Sequence, residues 1–480
     1  MKLSGLIDGW TAPSDPEIAG LTADSRAVKP GYLFAALPGV KADGRAFIAK
    51  AIEAGAAAII APPGTEASVP VVANDNPRKV FAQAAARFYG RQPETVAAVT
   101  GTNGKTSIAA FVRQIFAACG RKAASMGTVG IVSPSGERTL SHTTPDPVVV
   151  HQELALLADE GVTHLSLEAS SHGLDQFRLD GVRIKAAAFT NLTRDHLDYH
   201  ETLEAYRDAK LRLFTELVAP DGIAVVDADS EGAEYFIAAA EARGLKTLTV
   251  GRKGEALKLT NREAHLDSQV LTVADKKIGH IVRLPLAGAF QASNALVAAG
   301  ICIGLGENPF KVFEALSHLK GAKGRLDHVA TSRAGAPIFV DYAHTPDALE
   351  TVLKTLRPHV QSKLRVVFGC GGDRDAGKRP LMGAVAAANA DDVIVTDDNP
   401  RSEEPAAIRA AILAAAPGAR EIGDRAEAID AAVKSLSDGD ILVIAGKGHE
   451  AGQIVGATVH PFDDGEEARR AAVAMGGRAL

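Results

Sequence analysis

The sequence predicts an α/β protein built from three domains, and three observations carry that prediction. Its 480 residues exceed what one hydrophobic core organises, and domains of ordinary size divide the chain into about three. An apolar run, Val96-Ala97-Ala98-Val99, enters the glycine-bearing stretch Thr100-Gly101-Thr102-Asn103-Gly104-Lys105-Thr106-Ser107. A helical pattern follows at Ile108, Phe111, Val112, Ile115 and Phe116, which gives strand, tight turn and helix N-terminus. Beyond residue 326 the order strand, polar loop, helix repeats four times, the mark of a doubly wound, Rossmann-like sheet. The expected units are 1–93, 94–325 and 326–480.

Composition narrows the class. Hydrophobic residues make up 46% and charged residues 23%, which is ordinary for a globular protein, and 46 glycines with 23 prolines do not signal disorder. A formal net charge of −6 supplies no basic excess to displace counterions from nucleic acid, so nucleic acid is not expected as a partner. Cys119, Cys302 and Cys370 are far apart and fit neither a metal spacing nor a disulfide framework, which points to the cytoplasm. The N-terminus lacks a basic-then-apolar signal pattern, with Asp8 inside the first ten residues. The longest uncharged run, Leu284 to Gly306, is interrupted by Pro285, Gln291, Ser293 and Asn294. It is expected as a turn and a buried helix, with no membrane insertion.

In the first unit, Thr22-Ala23-Asp24-Ser25-Arg26 is a polar turn. Tyr32 to Leu37 and Ala56 to Ala61 are strands, and Phe47 to Ala54 is a helix stopped at Gly55. Ser25 and Arg26 either cap that turn or hold a ligand.

The second unit opens on the glycine stretch, where a polyphosphate is expected. Backbone amides at a first helical turn have no carbonyl partner and carry the positive end of the helix dipole, and glycines let an anion approach closely. Lys105 reaches the outer phosphates and the Thr106 hydroxyl ligates magnesium. The usual first glycine is replaced by Val99, leaving a shortened Gly-x-x-Gly-Lys-Thr loop. The strand Thr163 to Leu167 delivers Glu168 at its C-terminal end, where open α/β sheets gather ligands. Glu168 is placed there either to share the magnesium or to cap the next turn. Ser170, Ser171 and His172 make a poor nucleophile pair, because adjacent residues lack an orienting third group. His196 and His200 have helical spacing, but Leu197 stands where a zinc hydrolase needs glutamate, so His196 alone is the candidate, as a magnesium ligand or a phosphate contact.

Lys210 is the most informative residue after the glycine stretch. On a helix from Glu201 to Leu217 the inward stripe reads Leu203, Tyr206, Lys210, Leu213, Phe214 and Leu217, which puts a lysine in an apolar slot. Either its stem snorkels, or a neutral amine takes up carbon dioxide and becomes an anionic carbamate able to bind metal. Asn294, on an otherwise apolar helix, needs partners that an adenine edge supplies.

In the third unit the strands end in Asp341 to Asp347, Gly369 to Asp375, Asp397 to Arg401 and Gly446 to Glu450, four polar loops on one sheet edge. The glycine loop is no dinucleotide fingerprint, since Arg374 occupies its third glycine position. A face rich in both arginine and carboxylates suits a zwitterionic ligand.

These stretches, together with Asp24-Ser25-Arg26, His142-Thr143-Thr144-Pro145 and Thr190 to His200, resemble the Mur ligases of cell-wall synthesis. Among them the likeness is greatest to the branch that adds meso-diaminopimelate. The shortened phosphate loop is a trait of that family. The resemblance implies an α/β UDP-binding N-terminal domain, a central P-loop-type ATPase domain with a mostly parallel sheet, and a C-terminal Rossmann-like domain that brings the amino acid. ATP would lie on Gly101, Thr102, Asn103, Gly104, Lys105, Thr106 and Ser107, with Asn294, Arg325 and Asp341 at adenine, phosphate and ribose. Ala23, Ser25, Val40, Lys41 and Ala42 would meet the uridine-sugar end of UDP-N-acetylmuramoyl-dipeptide. Thr143, Thr144, Ser170, Gln176 and Arg178 would hold its muramoyl-dipeptide, with His142 at the position of a family asparagine. Arg374, Asp398, Asn399, Pro400, Arg401, Gly446 and Glu450 would form the meso-diaminopimelate site.

The implied catalytic residues are Lys105, Glu168, His196 and Lys210. Thr106, Glu168, His196 and carbamylated Lys210 would serve magnesium, so the cofactors are ATP, Mg2+ and carbon dioxide as a lysine carbamate. The implied product is an amide bond, made through an acyl phosphate by a cytoplasmic monomer. A lysine-adding relative, a folylpolyglutamate synthetase and a nucleotide-switch protein are the competing readings. The long unit before the phosphate loop speaks against the second, and the inward Lys210 speaks against the third.

Overall fold

The computed structural model describes residues 1–480 apart from Pro13, Val40, Lys41, Ala42 and Lys277, with Leu197 and Asp198 described in their backbone only. The expected uridine-sugar contacts of Val40, Lys41 and Ala42 therefore lie outside the described residues.

Three sheets organise the chain. The first runs Gly20–Thr22, Tyr32–Ala35, Ala58–Ala61 and Val71–Ala73, all parallel. Parallel strands covered on both faces need near-continuous apolar sequence, and Ala58–Ala61 divides its side chains accordingly. Ala58 and Ile60 enter one core while Ile59 and Ala61 enter the other. The helix Pro77–Tyr89 starts with Asn76 accepting from the Lys79 amide and a proline in its first turn, and ends at Gly90 in a left-handed conformation.

The second sheet is mixed, with a parallel centre. Thr95–Thr100 lies between Ile184–Phe189 and His164–Glu168, parallel to both. Val96 and Ala98 pack on one side of the sheet and Ala97 and Val99 on the other. Val218–Asp227 and Lys246–Gly251 extend the parallel part, and Leu257–Ala264, Gln269–Ala274 and Gly279–Leu284 add an antiparallel wing. The uncharged run forms Ala289–Gly304, a buried helix packed on the face of Ala97 and Val99. No helix among the described residues is long and apolar enough to cross a membrane.

The third sheet has the order Arg420–Glu421, Asp392–Val395, Leu364–Phe368, Ile441–Ala445, Pro337–Asp341, Asp327–Thr331, Arg478–Ala479. Its parallel strands end at the four polar loops read from the sequence, so those loops share one edge. A hairpin of Gly452–Val455 and Thr458–Pro461 lies beside that edge.

The expected helix from Glu201 to Leu217 is instead Leu203–Arg212, capped by the Thr202 hydroxyl and followed by a wider turn, Leu213–Leu217. Tyr206, Lys210, Leu213 and Phe214 are buried as the stripe predicts, but Leu203 is 42% exposed. It sits in the first turn, where the chain has only just left the surface loop. Arg212, unexpected inside, is buried against Asp180, with Nη2 donating to Oδ1 at 2.7 Å and the guanidinium over Phe177.

A second buried pair braces the third sheet. Arg425 is 1% exposed and donates twice to Asp464, at 2.7 Å each, and also to the carbonyls of Asp397 and Ala445 at two strand ends. Removing one partner of such a pair strands a buried charge, at a cost of about 3–5 kcal/mol. Asp464→Asn should therefore lower the unfolding free energy of this unit by that order in denaturant titration, and a loss below about 1 kcal/mol would contradict the bracing role.

Candidate functional site

The glycine stretch is a strand-to-helix bend at the C-terminal end of the strand Thr95–Thr100. Gly101 has φ +144° and Gly104 φ +89°. A Cβ at the first would stand 1.8 Å from the Thr190 hydroxyl, and at the second 2.4 Å from Asn294 Oδ1. Both conformation and crowding therefore demand glycine. The helix Lys105–Ala118 makes its first bond from the Ile108 amide to the Gly104 carbonyl, and no side chain among the described residues caps its start. An uncapped N-terminus on a buried, apolar helix is a site for an anion.

Positive charge crowds this bend. Lys105 folds back so that Nζ donates to the carbonyls of Gly101 (2.9 Å) and Thr102 (2.7 Å). Lys210, 1% exposed, reaches the same Gly101 carbonyl at 2.9 Å and lies 4.1 Å from the centre of the Tyr206 ring. Burial, and then the neighbouring Lys105 ammonium, push the Lys210 pKa well below the ordinary lysine value. Desolvation lowers that of Lys105 too, against the opposing pull of Glu168 and Asp195. The snorkelling alternative for Lys210 does not occur, since its nitrogen is sealed inside.

Glu168 ends its strand buried and already engaged. Oε2 accepts from the Thr106 hydroxyl at 3.1 Å and the Thr128 hydroxyl at 3.0 Å, and Oε1 accepts from the Thr128 amide at 2.8 Å. Arg325, at the junction of the second and third units, donates to the Thr106 hydroxyl at 3.1 Å. Thr106 and Glu168 thus meet as an oxygen pair, the donor set a hard cation such as magnesium prefers. Among the described residues no group of three or more His, Cys, Asp or Glu side chains gathers as a metal site. Lys210 meets the same loop at the Gly101 carbonyl, and His196 lies close enough to feel the charges of Lys105 and Lys210.

His196 has φ +53°, a left-handed conformation that costs a non-glycine residue on the order of 1–3 kcal/mol and is retained where the surroundings over-determine it. It packs edge-on against His172 at 4.8 Å. Its ring faces a walled cavity, and desolvation there, with the charges of Lys105 and Lys210, pushes the imidazole down to about 4 despite Asp195. It is therefore neutral at pH 7. Burial opposes the charge on Asp195, but His196, His344 and Lys105 around it keep its carboxyl below the usual range.

Two cavities open from the bend. One of about 230 Å3 is lined by Asn103, Gly104, Ser107, Asn294, Arg325 and Asp341, six of the ten residues expected for ATP; Gly101, Thr102, Lys105 and Thr106 do not line it. Asn294 donates to Gln291 Oε1 at 3.1 Å, and burial raises the Asp341 carboxyl to about 6. The other, about 330 Å3, has Arg194, Asp195 and His196 on the side of the second unit and Arg374, Asp398, Asn399, Arg401, Gly446 and Glu450 on the side of the third. Pro400 is buried and does not line it. Tyr342, His344 and Asp347 line both cavities, so the two are neighbours across one wall.

Thr143, Thr144, Ser170, Gln176 and Arg178 form a further group around Glu168. The Thr144 hydroxyl donates to the Glu168 carbonyl at 2.8 Å and accepts from the Ser170 amide, and Thr143 meets Thr128 at 3.0 Å. Arg178 donates to the Thr144 carbonyl and to Gln176 Oε1, both at 2.7 Å. His142 is exposed and bonds only locally, to Ser141, in the contacts described. Ala23 and Ser25 lie in the first unit on a turn fixed by Arg26 hydrogen-bonding Asp24, whose carboxyl falls to about 2.

Sequence reasoning missed Thr128, Asp195, His344, Lys378 and Lys447. Asp195 sat beside a histidine that drew the attention. Lys447 lies between two glycines in a polar loop, with no sequence signal for burial, and is fully buried.

Comparison with known proteins agrees with this geometry. The Mur ligase family, catalytic domain, matches residues 17–89; the Mur ligase middle domain matches 99–302; and the Mur ligase, glutamate ligase domain, matches 324–448. The chain is 58% identical over 478 residues to the UDP-N-acetylmuramoyl-L-alanyl-D-glutamate--2,6-diaminopimelate ligase of Bradyrhizobium diazoefficiens, covering 97% of this chain and 98% of that one. To the Caulobacter vibrioides protein of the same name it is also 58% identical, covering 98% of each. A solved structure of a protein with that name superposes with a TM-score of 0.70 at 35% identity over 99% of both chains. By sequence along its whole length and by the arrangement of its three sheets, the chain belongs to the Mur ligase family.

Proposed function

We propose that this chain joins meso-diaminopimelate to the D-glutamyl side-chain carboxylate of UDP-N-acetylmuramoyl-L-alanyl-D-glutamate, using ATP. The observation that carries the reading is the pair of adjoining cavities, one fitted to a nucleotide and the other bounded by Asp195 and His196 on one side and Arg401 and Glu450 on the other. A phosphate made anionic and reactive in the first is separated by one wall from an amine held in the second.

The first step joins two anions, the glutamyl carboxylate and the γ-phosphate of ATP, and releases ADP. Lys105 and the amides of the uncapped helix lower that repulsion, in a site where few solvent dipoles compete. The group around Thr144 and Arg178 orients the acceptor so that its carboxylate faces the bend. A magnesium ion held by Thr106 and Glu168, with His196 and a carbamylated Lys210 completing the set, would supply further charge neutralisation between the phosphates. Carbamylation suits Lys210 because its amine is buried and driven neutral, and carbamate formation consumes a neutral amine.

In the second step the amine nitrogen attacks the acyl carbon, a tetrahedral intermediate forms, and inorganic phosphate leaves as the nitrogen loses a proton. Asp195, a carboxylate facing this cavity, and neutral His196 are the groups nearest the incoming ammonium. Arg374, Lys378 and Arg401 give the far end of the cavity positive charge for carboxylates. Diaminopimelate carries a second carboxylate that lysine lacks. An arginine left unpaired in an enclosed site penalises lysine, which favours the diaminopimelate reading over the lysine-adding one. With ATP as fuel, UDP-linked acceptor and three free cysteines, the reaction belongs in the cytoplasm.

ADP release by the purified protein should require both the UDP-linked dipeptide and diaminopimelate, with lysine a poor replacement. Arg401→Ala should cut kcat/KM for diaminopimelate by about 10- to 100-fold, the loss expected for a charged hydrogen bond. Turnover with neither acceptor nor amino acid would favour a nucleotide switch, and equal use of lysine would remove the role given to Arg401. Lys210→Ala should lose at least about 100-fold in kcat, the scale of a lost electrostatic contact in a closed site, and regain part of it with added acetate or formate. Full activity without additives would exclude a working carbamate.

A further inference from the structure

Lys447 is a fully buried lysine behind the part of the amino-acid cavity's wall that carries Asp398, Asn399 and Glu450. Its Nζ donates to Asn399 Oδ1 at 2.9 Å and to Glu450 Oε2 at 3.3 Å, and lies 3.9 Å from Asp398 Oδ1. Asn399 closes the triangle, donating through Nδ2 to the same Glu450 oxygen at 2.8 Å. Its Oδ1 also accepts the Ile454 amide at 2.9 Å from the neighbouring hairpin, and Gln453 of that hairpin donates to the Asp398 carbonyl at 2.8 Å. A buried cation is retained only where its partners repay the lost hydration, and here Asp398, Asn399 and Glu450 all belong to the wall of one cavity. The charge balance matters as much as the geometry. Two carboxylates, Asp398 and Glu450, face one lysine, so these three residues together keep a single net negative charge.

We infer that Lys447 is the positioning residue of the amino-acid site: it fixes the orientation of Asp398, Asn399 and Glu450 and trims their charge to the one unit that an incoming ammonium neutralises. The inference rests on the amide-ligase reading of the cavity. Without Lys447 the two carboxylates would repel each other and turn away, and Asn399 would lose one of its three side-chain anchors. Lys447 does not itself reach the substrate, since it is sealed behind the residues it holds. Its loss should therefore appear in the binding of one substrate and spare the phosphoryl transfer that precedes it.

Lys447→Met keeps the stem and removes the charge. Asn399→Asp keeps the shape but replaces the donor facing Glu450 with a repelling oxygen. For each variant the KM of diaminopimelate, of ATP and of the UDP-linked dipeptide is measured from ADP release, with thermal unfolding recorded alongside. The expected result is a rise of tenfold or more in the diaminopimelate KM in both variants, with the other two KM values within twofold of the unaltered protein. If Lys447→Met does not fold, Asn399→Asp carries the test. Unchanged diaminopimelate KM, an equal rise in all three values, or loss of folding in both variants would overturn the inference, since a merely structural prop would then suffice. Turnover of the unaltered protein separates the two claims. If it makes no product with diaminopimelate, the substrate reading fails and this inference with it; if it does and the variants behave like it, this inference fails alone.

Discussion

Two lysine nitrogens converge on one backbone oxygen, the carbonyl of Gly101, and much of the molecule is arranged to hold them there. Like charges this close are unfavourable, and burial makes them more so. The chain accepts that cost at the end of a strand whose flanking neighbours are parallel and whose side chains are packed on both faces, so the bend cannot relax by moving away. Gly101 is pressed against Thr190, Gly104 against Asn294, and Lys210 is carried in on a helix tied through Arg212 to Asp180 in the turn before the strand Ile184–Phe189. With the Lys210 amine driven towards its neutral form, the Lys105 ammonium and the uncapped helix amides leave the bend poised for a polyanion.

The third sheet supplies the complementary half. Its loops sit at the ends of four parallel strands, and the two that carry Asp398 and Gly446 are braced from below by the Arg425–Asp464 pair. Polar contacts connect the halves. Arg325 meets Thr106, Asn103 meets Asp347 at 3.4 Å, and Arg194 stands 3.9 Å from Asp375. These contacts are few and mostly exposed, as expected for domains that must separate to admit substrates and close to keep water from an acyl phosphate.

Much of this was legible in the sequence because strand and helix signals there are local. Apolar runs such as Val96 to Val99 and Ile441 to Ile444 mark parallel strands by composition alone, and the glycine stretch follows its strand directly. Lys210 was legible because its neighbours at helical spacing are apolar. Leu203 misled for the same reason: the periodicity continues into a first turn that the fold leaves in water. What stayed hidden depends on contacts between distant segments. Lys447 is indistinguishable from a surface loop lysine until Asn399 and Asp398 are brought over it, and Arg212 until Asp180 meets it from a separate loop. The meeting of Thr106 with Glu168, 62 residues apart in the chain, is likewise a property of packing.

The central claim is that the crowded positive bend lets a carboxylate attack a phosphate. A UDP-linked dipeptide labelled with heavy oxygen in its D-glutamyl side-chain carboxylate tests it directly, by mass analysis of the phosphate released on turnover with ATP and diaminopimelate. An acyl phosphate intermediate predicts one labelled oxygen carried into each phosphate, and phosphate free of label would contradict the account.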